Sequence, residues 1–199
     1  MVTVTAPNLP CYRSIVAVDI ESSTARTNPA KAQLRHALYE LFEESLQVGG
    51  ITERHRDALI DRGDGILALV HPVDQAPKAL LLNSFIPTLS RLLTDHDTHY
   101  PDHQFRLRAV VHAGEVHYDN RGCFGEALDL TFRLLDAVEV KRSLLQAAAP
   151  LVLVVSDEIH RSIIRHGYPG IDENAFEPLV RVRLAGQRHR GWIHVPAKA

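Results

Sequence analysis

The segment LIDRGDGILALV, residues 59–70, places carboxylates and glycines between apolar residues. Asp61 and Asp64 flank Gly63, Gly65 follows, and the next five residues are almost wholly apolar. This pattern predicts a β-hairpin with a carboxylate at its turn. Such a turn is either a solvated loop or one half of a metal site, and the choice depends on the rest of the chain.

A second aspartate, Asp19, ends an earlier apolar run that predicts a buried strand. In a ferredoxin-like core the first strand lies beside such a hairpin, so we expect Asp19 and Asp64 to converge at one edge of the sheet. Hard cations such as Mg²⁺ bind carboxylates and substrate phosphates, and the backbone carbonyl of Ile20 is a further candidate ligand. The alternative is that both aspartates only terminate strands, because aspartate is a common turn former.

Hydroxyl residues follow the first strand directly: Ser22, Ser23 and Thr24. These residue types are typical of turns and of the first positions of helices. The backbone amides of residues 21–24 could face a triphosphate, as amides do at a helix N-terminus. We therefore interpret this turn as a candidate substrate-binding segment.

Two further groups of charged residues have both a functional and a structural interpretation. Asp129 and Arg133 lie four residues apart on a predicted helix, opposite its apolar side, where a surface ion pair is the simpler interpretation. Arginines alternate with apolar residues on a predicted C-terminal hairpin and give it a basic face: Arg181, Arg183, Arg188 and Arg190. That face is a solvated strand surface unless a phosphate site lies nearby.

The composition excludes several classes of protein. Of the 199 residues, 45% are hydrophobic and 23% are charged, which is typical of a globular domain in water. A formal net charge of −2 gives no basic field that would attract nucleic acid. The two cysteines cannot form a disulfide framework or a cysteine-rich zinc site. Because there is no signal peptide and no apolar stretch long enough to span a bilayer, we expect a cytoplasmic protein without a membrane partner.

The apolar periodicity predicts a strand, a helix, a hairpin, and then alternating helices and strands. One helix begins at Asn28, and a second covers residues 74–96 with a kink or break at Pro87. A long strand follows over residues 105–118, and then a single helix that ends near residue 145. A buried strand, a short helix and the C-terminal hairpin complete the chain.

This order predicts an α+β fold with a ferredoxin-like (split βαβ) core, helices on one face of the sheet, and a C-terminal strand hairpin. Residues 1–11 are interpreted as a flexible leader. Residues 12–196 are interpreted as a single domain, because no repeat or linker divides them.

Four segments, in order, resemble motifs of the class III nucleotidyl cyclases. IVAVDIESST resembles their F-x-D-I-x-G-F-T segment, and DRGDGILALV resembles their GDGFMAVF hairpin. LRAVVHAGEV and GCFGEALDLTFRLLDA are similar to their RIGIHTGEV and WGxxVNxASRL segments, and VRLAGQRHRGWIHV is a weaker counterpart of their last hairpin. The match covers residues 12 to 195, and the predicted strand order agrees with the fold of that family.

The resemblance implies an enzyme that converts a nucleoside triphosphate into a 3′,5′-cyclic nucleotide and pyrophosphate. Two Mg²⁺ or Mn²⁺ ions per active site would bind Asp19 and Asp64, with the carbonyl of Ile20 as a further ligand. Active sites of the family lie between two cyclase domains, so a single domain implies a head-to-tail homodimer. Arg133 matches the arginine that stabilises the transition state from the opposite subunit.

Several positions depart from the family pattern. Asp129 replaces the asparagine that orients the ribose, and it would repel a triphosphate unless it is protonated, metal-bound or paired. Ile60 and Gly122 replace the residues that read a purine edge, and neither has a side chain that can hydrogen-bond a base. The phosphate-binding lysine of the last hairpin is missing, and Arg183 or Arg188 could substitute for it.

Three interpretations remain open. The first is an active cyclase with altered base choice, for example a pyrimidine as in related bacterial antiphage cyclases, with Arg62 or neighbouring backbone reading the base. The second is a cyclase fold that binds nucleotide without turning it over and acts as a sensor or dimerising partner. The third is a ferredoxin-like interaction module. The presence of Asp19, Asp64 and Arg133 favours the first.

Overall fold

The computed structural model describes residues 9–196. The predicted leader, residues 1–11, lies mostly outside the described residues, and Cys11 is the first residue of the first strand. Within residues 9–196, one sheet contains eight strands: β1 (Cys11–Ile20), β2 (Ile60–Asp61), β3 (Gly65–Val70), β4 (Leu107–Asp119), β5 (Gly122–Phe124), β6 (Leu151–Ser156), β7 (Glu177–Leu184) and β8 (Gln187–His194).

The same residues form five α-helices: α1 (Asn28–Val48), α2 (Ile86–His99), α3 (Glu126–Leu135), α4 (Val138–Gln146) and α5 (Asp157–Ser162). A π-helical turn, Leu81–Phe85, leads into α2. Pro87 explains this irregularity, because proline has no amide to donate and its ring displaces the carbonyl of the preceding turn. In the described part of the chain, no helix has the length and apolar character needed to cross a membrane.

The single helix predicted up to residue 145 is wrong, because two helices occupy this segment. The chain leaves the helical conformation at Ala137, where ψ is 140°. Ala137 is itself buried in the same apolar cluster as Leu134 of α3 and Val140 of α4. The break therefore lets both helices turn their apolar sides towards the sheet.

The strand order β2-β3-β1-β4-β6-β8-β7, with β5 paired to β4, puts β1 between β3 and β4. β1 is antiparallel to both neighbours, and β4 is parallel to β6. This arrangement confirms the predicted α+β fold with a ferredoxin-like core and a C-terminal hairpin.

Helices cover both faces of the sheet, so the prediction that they lie on one face is wrong. On one face, Val16, Val18 and Ile20 of β1 pack with residues of α1, α2 and α5. On the other face, Ile15 and Ala17 pack with residues of α3 and α4. β3 and β6 are buried along their whole length, and such continuous apolar runs are typical of strands that are covered on both faces.

A polar network fixes the loop before β2 to the sheet. The carboxylate of Asp57 accepts a hydrogen bond from the Tyr118 hydroxyl at 2.6 Å and pairs with Nε2 of His71 at 2.9 Å. Nε of Arg13 lies 3.5 Å from the same carboxylate. Burial raises the pKa of Asp57, but these three partners outweigh burial and hold that pKa below its usual value.

We expect Asp57→Ala to lower the free energy of unfolding by about 3 kcal/mol, because Tyr118, His71 and Arg13 lose the carboxylate that they share in a half-buried place. Tyr118→Phe removes one donor and leaves the charged groups paired, so it should cost about 1 kcal/mol. Urea unfolding followed by circular dichroism measures both values. Equal losses in the two variants would contradict the role of the carboxylate as the shared acceptor.

His112 of β4 is a buried imidazole. Its Nδ1 lies 2.7 Å from the hydroxyl oxygen of Ser156 on β6. Burial lowers the pKa of His112 to about 4, and electrostatic interactions with His189 and Lys78 act in the same direction. The folded protein therefore keeps this histidine neutral at pH values where the unfolded chain binds a proton.

The stability that His112 contributes is complete above the unfolded pKa of about 6.5 and is lost as the pH falls towards the folded pKa of about 4. Between about pH 7.5 and about pH 5, the protein should lose about 2 kcal/mol more than the variant His112→Gln, which does not titrate. Urea unfolding at the two pH values gives this difference. If both proteins lose the same amount, the histidine is not held neutral by the fold.

Candidate functional site

Asp19 and Asp64 stand at neighbouring strand ends. Asp19, the penultimate residue of β1, is opposite Gly65 of β3. The amide of Ile20 donates to the backbone carbonyl of Asp64 at 3.0 Å. The structure thus brings the three residues proposed as metal ligands to one end of the sheet, which we call the aspartate end.

Two glycines allow the hairpin to approach β1 so closely. Gly63 has φ +82° in the turn, a backbone conformation that side chains disfavour. At Gly65 a Cβ would lie only 2.2 Å from the backbone oxygen of Val18. The two glycines on either side of Asp64 are therefore required by the turn and by the strand pairing.

Asp61 stabilises the turn between β2 and β3 through side-chain contacts. Its carboxylate pairs with both terminal nitrogens of Arg35 on α1, one at 3.0 Å, and accepts a hydrogen bond from the amide of Gly63 at 2.6 Å. The hydrogen bond from Arg35 and the Gly63 amide lower the pKa of Asp61 to about 2. Asp61 is thus engaged with α1, and it fixes the backbone that carries Asp64.

The carboxylate of Asp19 forms a bidentate ion pair with the guanidinium of Arg108. Arg108 of β4 donates to its two oxygens from Nε at 2.9 Å and from Nη2 at 2.7 Å, and Asp136 lies 3.7 Å from the same arginine. Burial raises the pKa of Asp19 to about 6; Arg108 opposes this shift, and the charges of Asp136 and Asp64 add to it. The sequence analysis missed Arg108 because a lone arginine in a strand carries no local signal.

The turn after β1 offers backbone donors next to Asp64. The hydroxyl of the buried Ser23 donates to the Asp64 carboxylate. Ser22 has φ 54°, an uncommon conformation for a residue with a side chain. Within residues 9–196, the amides of Ser22, Ser23 and Thr24 donate to no backbone acceptor. Three unpaired amides therefore follow β1 at the aspartate end.

A cavity of about 560 Å³ opens beside Asp64 and the hydroxyl residues of the turn. Its lining includes three basic side chains, Arg26, Lys31 and Arg35. Arg35 is paired with Asp61, which leaves Arg26 and Lys31 as the cations available to an anionic ligand. The sequence analysis missed both, although each follows the hydroxyl run by only a few residues.

The donor set at the aspartate end consists of oxygen atoms only: the carboxylates of Asp19 and Asp64 and the carbonyl of Ile20. Within the described residues, no group of three or more His, Cys, Asp or Glu side chains could hold a metal ion. Mg²⁺ commonly binds one or two carboxylates and completes its shell with phosphates and water. The residues therefore fit a cation that binds together with a phosphorylated ligand, and they do not form a complete metal cage by themselves.

Asp129 and Arg133 are exposed on α3. The ion pair that their spacing suggested is wrong, because neither side chain has a hydrogen bond or an ion pair within residues 9–196. Helical spacing only permits such a pair, and two exposed side chains gain little by forming it. Asp136, three residues further on, contacts Arg108, so this end of α3 lies at the aspartate end.

Ile60, Arg62 and Gly122 lie on the face of the sheet that α3 covers. The guanidinium of Arg62 is 4.3 Å from the ring centre of Phe132, a residue that the sequence analysis did not single out. Ile60 packs against the same apolar cluster as Cys123, and the neighbouring Gly122 is exposed. The surface around these positions is thus apolar with one guanidinium.

Arg183 and Arg188 are exposed and face each other across the C-terminal hairpin. β8 pairs with the far end of β6, where Ser156 is opposite Gly191. Asp19, by contrast, reaches β6 through Arg108, which is opposite Val152 near the start of that strand. The two arginines therefore lie at the opposite end of the sheet from the aspartates of their own chain.

No protein-family model and no curated protein matches this chain, but solved structures do. The adenylate/guanylate cyclase/hydrolase from Silicibacter pomeroyi has a TM-score of 0.66 at 17% identity, over 94% of this chain and 98% of that one. The adenylyl cyclase CyaB from P. aeruginosa has a TM-score of 0.64 at 12% identity, over 96% and 97%.

The guanylate cyclase domain of RhGC from Catenaria anguillulae, solved in complex with GTP, has a TM-score of 0.61 at 12% identity, over 98% of this chain and 100% of that one. The chain therefore has the fold of class III adenylate/guanylate cyclase catalytic domains over nearly its whole length. The fold that the sequence resemblance implied is confirmed.

Proposed function

We propose that this chain, which has the fold of the class III nucleotidyl cyclase catalytic domains, is itself a nucleotidyl cyclase. It would convert a nucleoside triphosphate into a 3′,5′-cyclic nucleotide and pyrophosphate at sites shared by two copies of the chain. The observation that carries the proposal is the juxtaposition of Asp19 and Asp64 at the aspartate end, beside a turn with three unpaired amides.

Two Mg²⁺ or Mn²⁺ ions per site are the implied cofactors, and Asp19, Asp64 and the Ile20 carbonyl would hold them. When bound, such ions favour ionisation of the ribose 3′-hydroxyl and offset negative charge on the α-phosphate and leaving group. The chain itself fixes the ligands: the Ser23 hydroxyl orients Asp64, and Asp61 clamps the turn to α1. Arg108 holds Asp19 in place until a divalent cation competes for that carboxylate.

The triphosphate tail would bind in the cavity next to Asp64. The amides of Ser22, Ser23 and Thr24 are donors of the kind that bind phosphate at helix N-termini. Arg26 and Lys31 add two positive charges to the lining of the same cavity. Together they offset part of the charge of the phosphates that the carboxylates would otherwise repel.

The partner subunit would complete the site. Arg133 has no side-chain partner within the described residues, so its guanidinium is free to reach a phosphate across an interface and to stabilise charge in the transition state. Arg183 and Arg188 are further candidate phosphate ligands from the partner subunit in a head-to-tail homodimer. Asp129 would then contact the ribose.

The base is proposed to be a pyrimidine. Ile60 and the side-chain-free Gly122 offer no hydrogen bond to the edge of a purine. Arg62 has only donors, and the carbonyl O2 that cytosine and uracil share is an acceptor. Arg62 already lies over the Phe132 ring, so it is held near the surface where the base would stack.

A second candidate function is a cyclase fold that binds nucleotide without turnover. The observation that favours it is the bidentate pairing of Asp19 with Arg108, which a metal ion would have to displace. Asp129 also favours this second candidate, because a carboxylate at a position that would face the ribose repels phosphate.

With Mn²⁺ and ATP, GTP, CTP or UTP, the purified protein should form one cyclic product, detected by chromatography and mass spectrometry. Asp64→Ala should lower its rate by roughly a hundredfold or more, because it removes a metal ligand. Asp74→Ala is the matched control, since Asp74 is exposed and has no side-chain partner within residues 9–196. A rise in melting temperature without product would favour the second candidate, and no response to any nucleotide would contradict both.

Mixing Asp19→Ala with Arg133→Ala should restore activity that each variant lacks alone. A mixed dimer keeps one intact composite site, and random pairing makes about half of all dimers mixed, so about a quarter of the original rate is expected. Product formation at a fixed total protein concentration measures it. A mixture as inactive as its components, with both variants folded and dimeric, would argue against shared sites.

A further inference from the structure

We infer that a second cavity, formed where β6 ends and α5 begins, is a binding site for a compact phosphate-bearing anion. The cavity has a volume of about 520 Å³ and is lined by His112, Ser156, Arg188, His189 and Arg190, together with residues of α5. It lies at the end of the sheet opposite the aspartate end. The inference does not require turnover by the proposed cyclase, although Arg188 is also a candidate phosphate ligand in that proposal.

The acidic residues that line this cavity are already neutralised. Asp157 pairs with Arg161 at 3.0 Å, and Glu158 pairs with Lys78 at 3.5 Å. By contrast, Arg188 and Arg190 have neither a hydrogen bond nor an ion pair within residues 9–196. The balance of charge in the cavity is therefore positive.

The register of the C-terminal hairpin increases this imbalance. Arg188 is directly opposite Arg183, and Arg190 is directly opposite Arg181. Like charges at directly opposite positions of two strands destabilise the pairing. An anion between Arg188 and Arg190 would offset this repulsion, so the hairpin itself gains from a bound phosphate.

Two imidazoles belong to the lining of the cavity. The hydroxyl oxygen of Ser156 accepts from the amide of Ile159 at 3.3 Å and lies 2.7 Å from Nδ1 of His112. Nδ1 of His112 is thus engaged with this hydroxyl, whereas its Nε2 has no hydrogen-bond partner in the described residues. Nε2 of His189 is buried and has no hydrogen-bond partner there either. Such buried polar atoms normally have a partner.

The donor set identifies the class of ligand. The lining includes two arginines without a side-chain partner in the described residues, and the nearby carboxylates are paired. Guanidinium binds phosphate through paired, planar hydrogen bonds. A phosphate group offers acceptor oxygens to both guanidinium groups. Inorganic phosphate, pyrophosphate and the phosphodiester of a cyclic nucleotide share this chemistry, so the experiment compares them.

The test is isothermal titration with inorganic phosphate, pyrophosphate and each 3′,5′-cyclic nucleotide, with a chelator present and no divalent metal. At least one of these should bind the full chain, and Arg190→Gln should weaken its binding roughly tenfold or more. Arg188→Gln should have a similar effect. Arg142→Gln, an exposed arginine of α4 that does not line the cavity, is the matched control and should bind as the original protein does.

Two further measurements locate the site. Asp64→Asn should bind the same anion with unchanged affinity. This result would distinguish the second cavity from the aspartate end, whether or not the protein is an active cyclase. The ring-proton NMR signals of His112 and His189 should shift during the titration. Absence of binding by all the anions, equal affinity in Arg190→Gln and the original protein, or loss of binding in Asp64→Asn would overturn the inference.

Discussion

The pairing of β1 with two antiparallel neighbours is the constraint from which the rest of the site follows. It places Asp19 opposite Gly65 on one side and Arg108 on the other, so the carboxylate is half-buried between strands. A buried ion pair contributes little net stability, because desolvation offsets most of the attraction. The stability of the fold must therefore come from the two apolar layers on either side of the sheet. The ion pair of Asp19 with Arg108 is held in place by the strands that these layers stabilise.

The parts of the structure that depend on local pattern were predictable. The apolar run before Asp19 and the glycines around Asp64 indicated a strand and a hairpin, because a tight turn favours glycine and a buried strand favours continuous apolar residues. The approach of the two aspartates then followed from the strand order of one common fold.

The parts that depend on distant residues were not predictable in the same way. Arg108 is 89 positions from Asp19, and no local sequence pattern around either residue predicts that they pair. The helices on the second face were not predicted, although the strand sequences indicate them. In β3 and β6, apolar and polar residues do not alternate, and this pattern favours burial on both faces of the sheet. The helical spacing of Asp129 and Arg133 also gave a wrong prediction, because the two residues have the separation of an ion pair but do not form one.

The charges of the molecule are divided between the two ends of its sheet. Carboxylates concentrate at the aspartate end, whereas four arginines cluster on the hairpin of β7 and β8 at the other end. A chain with a net charge of only −2 thus has a pronounced internal polarity. Two copies arranged head to tail would bring unlike charges together, and long-range attraction of this kind favours that orientation before any contact forms.

The contact between Gly65 and the backbone of Val18 has an evolutionary consequence. Because any side chain at position 65 would collide with the first strand, even alanine would push the hairpin outward and separate the two acidic groups. At position 64 the contact with Ile20 is made by the backbone, so a change of side chain there would leave the strand pairing intact and remove only the hydrogen bond from Ser23. The sheet therefore constrains the residue at position 65 more strictly than the residue at position 64.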